Sequence, residues 1–231
     1  MHIFITGVSG GLGKALAEEF LRMGFTVSGI GRTNQIKHPS YSFIACDLSQ
    51  PAEINNFDFG ILAGPVMLIN NAGILGQIQR LSDQDVPDVM NVLTVNTLAP
   101  MLLSAKFMRS TSNENPTTIV NISSGAGRRS IPSWAAYCAS KAALDRFSET
   151  FYFEEKEKGR NIRVYSVAPG VIDTNMQELI RSSNPANFSS VSRFTELKST
   201  NSLKSPQETA EQLIQLVLQA EFDESCIICS L

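Results

Sequence analysis

Apolar residues occur in this chain as short dense runs separated by longer stretches with a helical period. The dense runs lie at residues 2–6, 25–31, 41–46, 66–69, 119–124, 162–168 and 225–229. Their length and near-continuous apolar character suit strands buried on both faces of a parallel sheet. Between the first two, Leu12, Leu16 and Phe20 recur every fourth residue and Gly24 stands where a helix would end. Ser82-Asp83-Gln84-Asp85 resembles a capping box and opens a helix through Met90, Leu93, Val95 and Leu98 to Phe107. A third helix runs from Trp134 past Leu144, Phe147 and Phe151 to about Lys158. Ser205-Pro206-Gln207-Glu208 places a cap, a proline and an acid at the start of a last helix, which buries Ala210, Leu213, Ile214 and Val217. Strand and helix alternate throughout. That pattern predicts an α/β fold: one doubly wound parallel sheet with helices on both faces, spanning 1–231 as a single domain. Residues 177–204 break the rhythm. They are polar and rich in Ser and Asn, with Phe188 and Phe194 as isolated aromatics, so 175–204 reads as a substrate-binding lid.

With 231 residues, 43% of them hydrophobic, the chain can fill one sizeable core. A net charge of −3 with scattered Lys and Arg argues against a nucleic-acid or anionic-membrane surface. The N-terminus lacks the pattern of a signal peptide, and no apolar stretch approaches the length of a membrane span free of polar breaks. The expectation is a soluble, cytoplasmic protein. Cys226 and Cys229 have metal-like spacing, but the histidines are His2 and His38 alone, so the pair reads as small buried hydrophobes and no metal is expected.

Thr6-Gly7-Val8-Ser9-Gly10-Gly11-Leu12-Gly13 lies between a strand and a helix. In that setting glycines let the backbone approach a pyrophosphate, which the free N–H groups of the helix end then hold. The spacing differs from the commoner G-x-G-x-x-G. At the end of the second strand, where a carboxylate would hold a ribose 2′-hydroxyl, stand Gly31, Arg32 and Thr33. An arginine there favours a 2′-phosphate, so NADP(H) is expected in preference to NAD(H). Asp47-Leu48 follows the third strand, where Asp47 either accepts from an adenine amine or caps the short helix near Pro51. Asn70-Asn71-Ala72-Gly73 offers small residues at the fourth strand end, and Asn96 falls mid-helix, where an amide wants a partner. Ser123 and Ser124 end the fifth strand. Tyr137 and Lys141, four apart, share one helix face. The ammonium should lower the phenol pKa, making Tyr137 a proton donor to a carbonyl or an acceptor from an alcohol.

Taken in order, Thr6-Gly7-x-x-x-Gly11-x-Gly13, Asn70-Asn71-Ala72-Gly73, Asn96, Ile122-Ser123-Ser124, Tyr137-x-x-x-Lys141 and Pro169-Gly170 with Thr174 resemble the short-chain dehydrogenase/reductase family, a Rossmann fold. The resemblance covers nearly the whole chain. Residues 169–177 and 196–203 are most similar to its sepiapterin reductase and benzil reductase branch. It implies that Tyr137 is the general acid and that Lys141 lowers its pKa and holds the nicotinamide ribose. Ser124, thirteen residues before the tyrosine, orients the substrate carbonyl in preference to Ser123, and Asn96 anchors a proton-relaying water. Thr174, Pro169, Gly170, Val171 and Ile172 would hold the carboxamide end, and Asn71, Ala72, Gly73, Asp47 and Leu48 the adenosine half. Gly7, Ser9, Gly11, Leu12 and Gly13 would hold the phosphates. Two departures stand out: Gly10 replaces a basic residue common in NADP-using members, and the usual C-terminal tail is absent. The expected pocket wall is Gly125-Ala126, Trp134, Met176, Leu179, Phe188 and Phe194, with Asp223 or Glu224 as a late acid. The implied activity is an NADPH-dependent carbonyl reductase acting on a ketone, diketone or aldehyde, in a homodimer or homotetramer. An alcohol dehydrogenase working oxidatively uses the same residues, and a non-catalytic NADP(H)-binding redox sensor is the reading from another class.

Overall fold

The computed structural model describes residues 1–219 and 228–231. Seven parallel strands form one sheet in the order β3-β2-β1-β4-β5-β6-β7. They are β1 His2–Thr6, β2 Thr26–Gly31, β3 Tyr41–Ala45, β4 Val66–Asn70, β5 Thr117–Ile122, β6 Ile162–Ala168 and β7 Ile228–Ser230. The order reverses direction at β1 and β4, so their carboxyl ends flank the crevice where such sheets bind ligands. The expected last strand begins at Ser225; residues 225–227, with Asp223, Glu224 and Cys226, lie outside the described residues. The remaining expected strands are each present, with ends shifted by at most two residues.

Strand side chains alternate between faces, and two cores result. Ile3, Ile5, Val27, Met67, Ile69, Val120, Tyr165 and Val167 pack on one side with helix α1, Gly11–Arg22, and helix α8, Pro206–Gln219. Phe4, Ile30, Leu68, Ile119 and Val164 pack on the other with helices α2, Pro51–Asn56, α4, Ala99–Arg109, and α5, Ala135–Glu157. Helix α8 starts as its sequence indicates: the Ser205 hydroxyl accepts from the Glu208 N–H, and the Glu208 carboxylate accepts from the Ser205 N–H.

Three expectations need correction. The helix expected from Ser82 begins instead at Val86, with Asp85 at its N-cap position; Leu81–Asp83 is a separate tight turn. Pro87 in the first turn supplies the reason, since its fixed φ suits a helix start. Helix α3, Val86–Leu93, then joins α4 through a wider π turn at Thr94–Leu98, which carries Asn96. The run Val86–Arg109 is long and apolar enough, by length and composition alone, to cross a membrane. Here it is a layer of the fold: Val92, Val95, Ala99, Leu103 and Phe107 are buried, and the run packs against the sheet and α5. Finally, residues 177–204 are more regular than expected. They hold most of α6, Asn175–Arg181, and all of α7, Val191–Ser199. Ile180, Phe188, Val191, Phe194 and Leu197 from this stretch gather with Trp134 into a third cluster that orders the segment.

Candidate active site

A cleft of about 850 Å³ opens at the carboxyl ends of the strands. Its floor begins at the turn after β1. Gly7 takes φ +74°, and a Cβ there would lie 2.9 Å from the Cα of Ala72. A Cβ on Gly13 would lie 2.3 Å from both the Gly7 carbonyl oxygen and the Asn71 amide nitrogen. Only glycine permits that approach. Helix α1 starts at Gly11 with no side chain capping it, so its first N–H groups are left for a ligand. Thr6 Oγ1 accepts from the N–H groups of Asn71 and Ala72, each at 2.9 Å, and Asn71 Nδ2 donates to the carbonyls of Thr6 and Gly7. Asn71 thus spends its amide on joining the glycine turn to the end of β4.

Ser9, Leu12, Arg32, Thr33, Leu48, Gly73, Pro169, Gly170, Val171, Ile172 and Thr174 also line the cleft. Asp47 lines it as well, but its carboxylate does not cap α2: it accepts from the Ser49 N–H at 2.9 Å and hydroxyl at 2.8 Å. Those bonds, with Arg32 nearby, hold its pKa below the usual carboxylate range. The methyl of Thr174 lies over the glycine turn, 3.2 Å from where a Gly11 Cβ would be.

At the inner end stand Ser124, Tyr137 and Lys141. The chain leaves β5 through Ser123, buried in the cleft wall, and Ser124, whose Oγ accepts from the Ala126 N–H at 3.1 Å and which stands beside the Tyr137 phenol. It is therefore Ser124, not Ser123, that neighbours the phenol. The Lys141 ammonium donates to the Ile122 carbonyl at 2.8 Å and lies 5.8 Å from the Tyr137 ring centre.

Burial reverses the expected electrostatics of this pair. It raises the Tyr137 pKa, and Ser124 offsets this only in part. It lowers Lys141 to about 8, against the pull of Asp145. Both groups are drawn toward their neutral forms, because removing either charge from water costs more than their neighbours return. Spacing alone could not reveal this.

Asn96 is fully buried and lies outside the cleft wall. Its Oδ1 accepts from the Ile74 N–H and its Nδ2 donates to the Ile74 carbonyl, both at 2.8 Å, and also to Ser140 Oγ. It shapes the loop after β4, and a Cβ on Gly73 would come within 3.4 Å of both its Oδ1 and the Lys141 nitrogen.

The expected substrate wall is met in part. Trp134, Met176 and Phe194 line the cleft. Phe188 does not: it is fully buried and stacks on the Trp134 ring at 5.2 Å. Gly125 and Ala126 are outside the lining, and Leu179 is turned to solvent. Leu75, Val95, Gln177 and Ile180 line it without having been expected. Gln177 directly follows Met176 in the sequence, and no local pattern marks it.

Residues 1–185 match the family model described as short chain dehydrogenase. The chain belongs to that family. It is 37% identical over 223 residues, 92% of this chain and 91% of the relative, to a benzil reductase ((S)-benzoin forming) of Bacillus subtilis (strain 168). It is 34% identical over 161 residues, 68% of this chain and 60% of the relative, to the sepiapterin reductase of Rattus norvegicus. Among solved structures, the KRED1-Pglu enzyme superposes with a TM-score of 0.83 at 27% identity, covering 99% of each chain. The chain is thus a short-chain oxidoreductase, in a family that uses nicotinamide cofactors, and its relatives include the branch indicated by its sequence.

Proposed function

We propose that this protein is an NADPH-dependent carbonyl reductase acting on an apolar ketone or diketone, with Tyr137 as the proton donor. The observation that carries the reading is the buried Tyr137 side chain at the inner end of the cleft, with Ser124 beside it and the Lys141 ammonium 5.8 Å from its ring centre; burial raises the phenol's pKa. A phenol held neutral has a proton to give, which suits reduction better than alcohol oxidation.

The residues fit a dinucleotide. The Gly7–Gly13 turn admits its pyrophosphate, Arg32 and Thr33 suit a 2′-phosphate, and Asp47 and Leu48 flank an adenine. Ile172 and Thr174 suit the carboxamide end. When bound, the nicotinamide supplies the hydride. The chain's own part is to orient and protonate. Ser124 fixes the substrate carbonyl against the phenol, and Tyr137 gives its proton to the carbonyl oxygen. Lys141, when charged, holds ribose hydroxyls and steadies the phenolate that remains. Asn96, its amide taken up by Ile74 and Ser140, keeps the loop beside Lys141 in place. Trp134, Met176 and Phe194 give the substrate an apolar wall, and 175–204 acts as its lid.

Benzil reduction by the Bacillus relative supports an aromatic diketone as substrate. The test is NADPH consumption with benzil, a pterin ketone and simple aldehydes. Turnover of benzil with NADPH, and far less with NADH, is expected; no turnover of any carbonyl would overturn the reading. We also infer a homodimer or homotetramer. Val86, Met90, Leu93, Leu98 and Met101 form an exposed apolar stripe on the Val86–Arg109 run, and Phe153 is exposed on α5.

A further inference from the structure

The apolar end of the cleft holds a polar group used by neither the proton relay nor the nucleotide cradle. Gln177, on α6, lines the cleft and is 2% exposed, and among the described residues neither its amide oxygen nor its amide nitrogen has a hydrogen-bond partner. A second orphan lies in the same wall: the Trp134 indole N–H is buried and unpartnered, on a ring packed edge-on to Tyr137 at 5.8 Å. Leu75, Ile180 and Phe194, which line the same cleft and cluster with Trp134, offer no polar group from their side chains. A buried amide left unpaired is costly, and folds tend to keep one where something else completes it. Asn96 shows the contrast, since its amide is fully engaged by Ile74 and Ser140. Gln177 and Trp134 both belong to the cleft wall that carries Tyr137, and each holds a buried N–H donor without a partner among the described residues. They suit an acceptor oxygen on the substrate other than the one Tyr137 protonates.

We propose that Gln177, assisted by the Trp134 indole, binds the second oxygen of a dicarbonyl substrate and so makes the site select diketones over simple ketones. This rests on the carbonyl-reductase reading above. Gln177 is a specificity-determining residue in this account, and the proton transfer itself does not depend on it.

The test compares benzil with deoxybenzoin, in which one carbonyl is replaced by a methylene, in the unmodified protein and in Gln177→Met. The variant should lower kcat/KM for benzil by about tenfold or more, the scale of one lost hydrogen bond with its partner left unpaired. Deoxybenzoin should change by less than about threefold on the same scale. NADPH affinity should be unchanged, and the melting temperature equal or higher, because methionine fills the space with no polar atom to satisfy. An equal loss for both substrates, no loss for benzil, weaker NADPH binding or a lower melting temperature would each overturn the proposal. Should no carbonyl of the wider panel turn over, the reductase reading fails and binding decides this one separately. Trp134 is the chain's single tryptophan, so its fluorescence follows ligand entry into the NADP⁺-loaded protein. Benzil bound about tenfold more weakly by Gln177→Met, with deoxybenzoin unaffected, would sustain the proposal; equal affinities, or no binding to the unmodified protein, would end it.

Discussion

Lys141 gives its buried ammonium to the carbonyl oxygen of Ile122, 2.8 Å away, and so ties helix α5 to the last residue of strand β5. That one bond sets the distance between the helix bearing Tyr137 and the strand end bearing Ser124. Burial at that place, not the bond, lowers the ammonium's pKa to about 8.

A pH dependence follows. Lys141 is charged below about 8 and neutral above it, because burial has lowered its pKa from the ordinary lysine value of 10.5. NADPH affinity of the free protein should therefore fall as pH rises from 7 to 9, through loss of the cation that holds the ribose. Lys141→Arg, which stays charged throughout that range, should flatten the dependence. A titration of NADPH binding against pH checks both, and a flat profile in the unmodified protein would refute the role.

Cofactor choice is assigned to Arg32, exposed at the cleft rim just past β2. Arg32→Ala should weaken NADPH by roughly 10- to 100-fold, the range for hydrogen bonds to a charged group, and leave NADH nearly unchanged. Calorimetric titration with each nucleotide measures this. Equal affinity for the two in the unmodified protein would contradict it.

How much was legible beforehand depended on whether a signal was local. Runs such as 66–69 and 162–168 are dense enough to identify strands, and the Ser205 cap identifies a helix start from four adjacent residues. The Tyr137 and Lys141 spacing placed both on one face, but the sign of the phenol shift depends on burial, a property of the assembled fold. The same limit hid Gln177, whose meaning comes from the absence of partners. It also hid α6 and α7, whose apolar anchors are too sparse to show a period and become visible only when Trp134 meets Phe188 and Phe194.

Asp173 ties helices α6 and α7 to the segment that follows β6. Its carboxylate pairs with Lys198 on α7 and with Arg181, 3.6 Å away on α6, and these cations hold its pKa below the ordinary carboxylate value. The group is open to solvent, so global stability should barely respond to its loss. Asp173→Asn should instead raise KM for the carbonyl substrate and speed amide hydrogen exchange across 175–199, with the melting temperature unchanged. Unaltered exchange would show that the pairs do not hold the lid.

The exposed stripe on the Val86–Arg109 run calls for a partner surface. Met90 is 62% and Met101 40% exposed in the isolated chain. If copies of the chain cover them, the double change Met90→Glu with Met101→Glu should yield a folded monomer. Native mass spectrometry reads the outcome; a monomeric unmodified protein would remove the inference.

The central claim is that the Tyr137 hydroxyl delivers the proton, and Tyr137→Phe tests it by deleting one oxygen while keeping the ring that packs against Trp134. Turnover of the carbonyl substrate should fall by at least ~10²-fold, the low end for a positioned acid, while NADPH binds as before. Turnover retained with NADPH still bound would contradict the account.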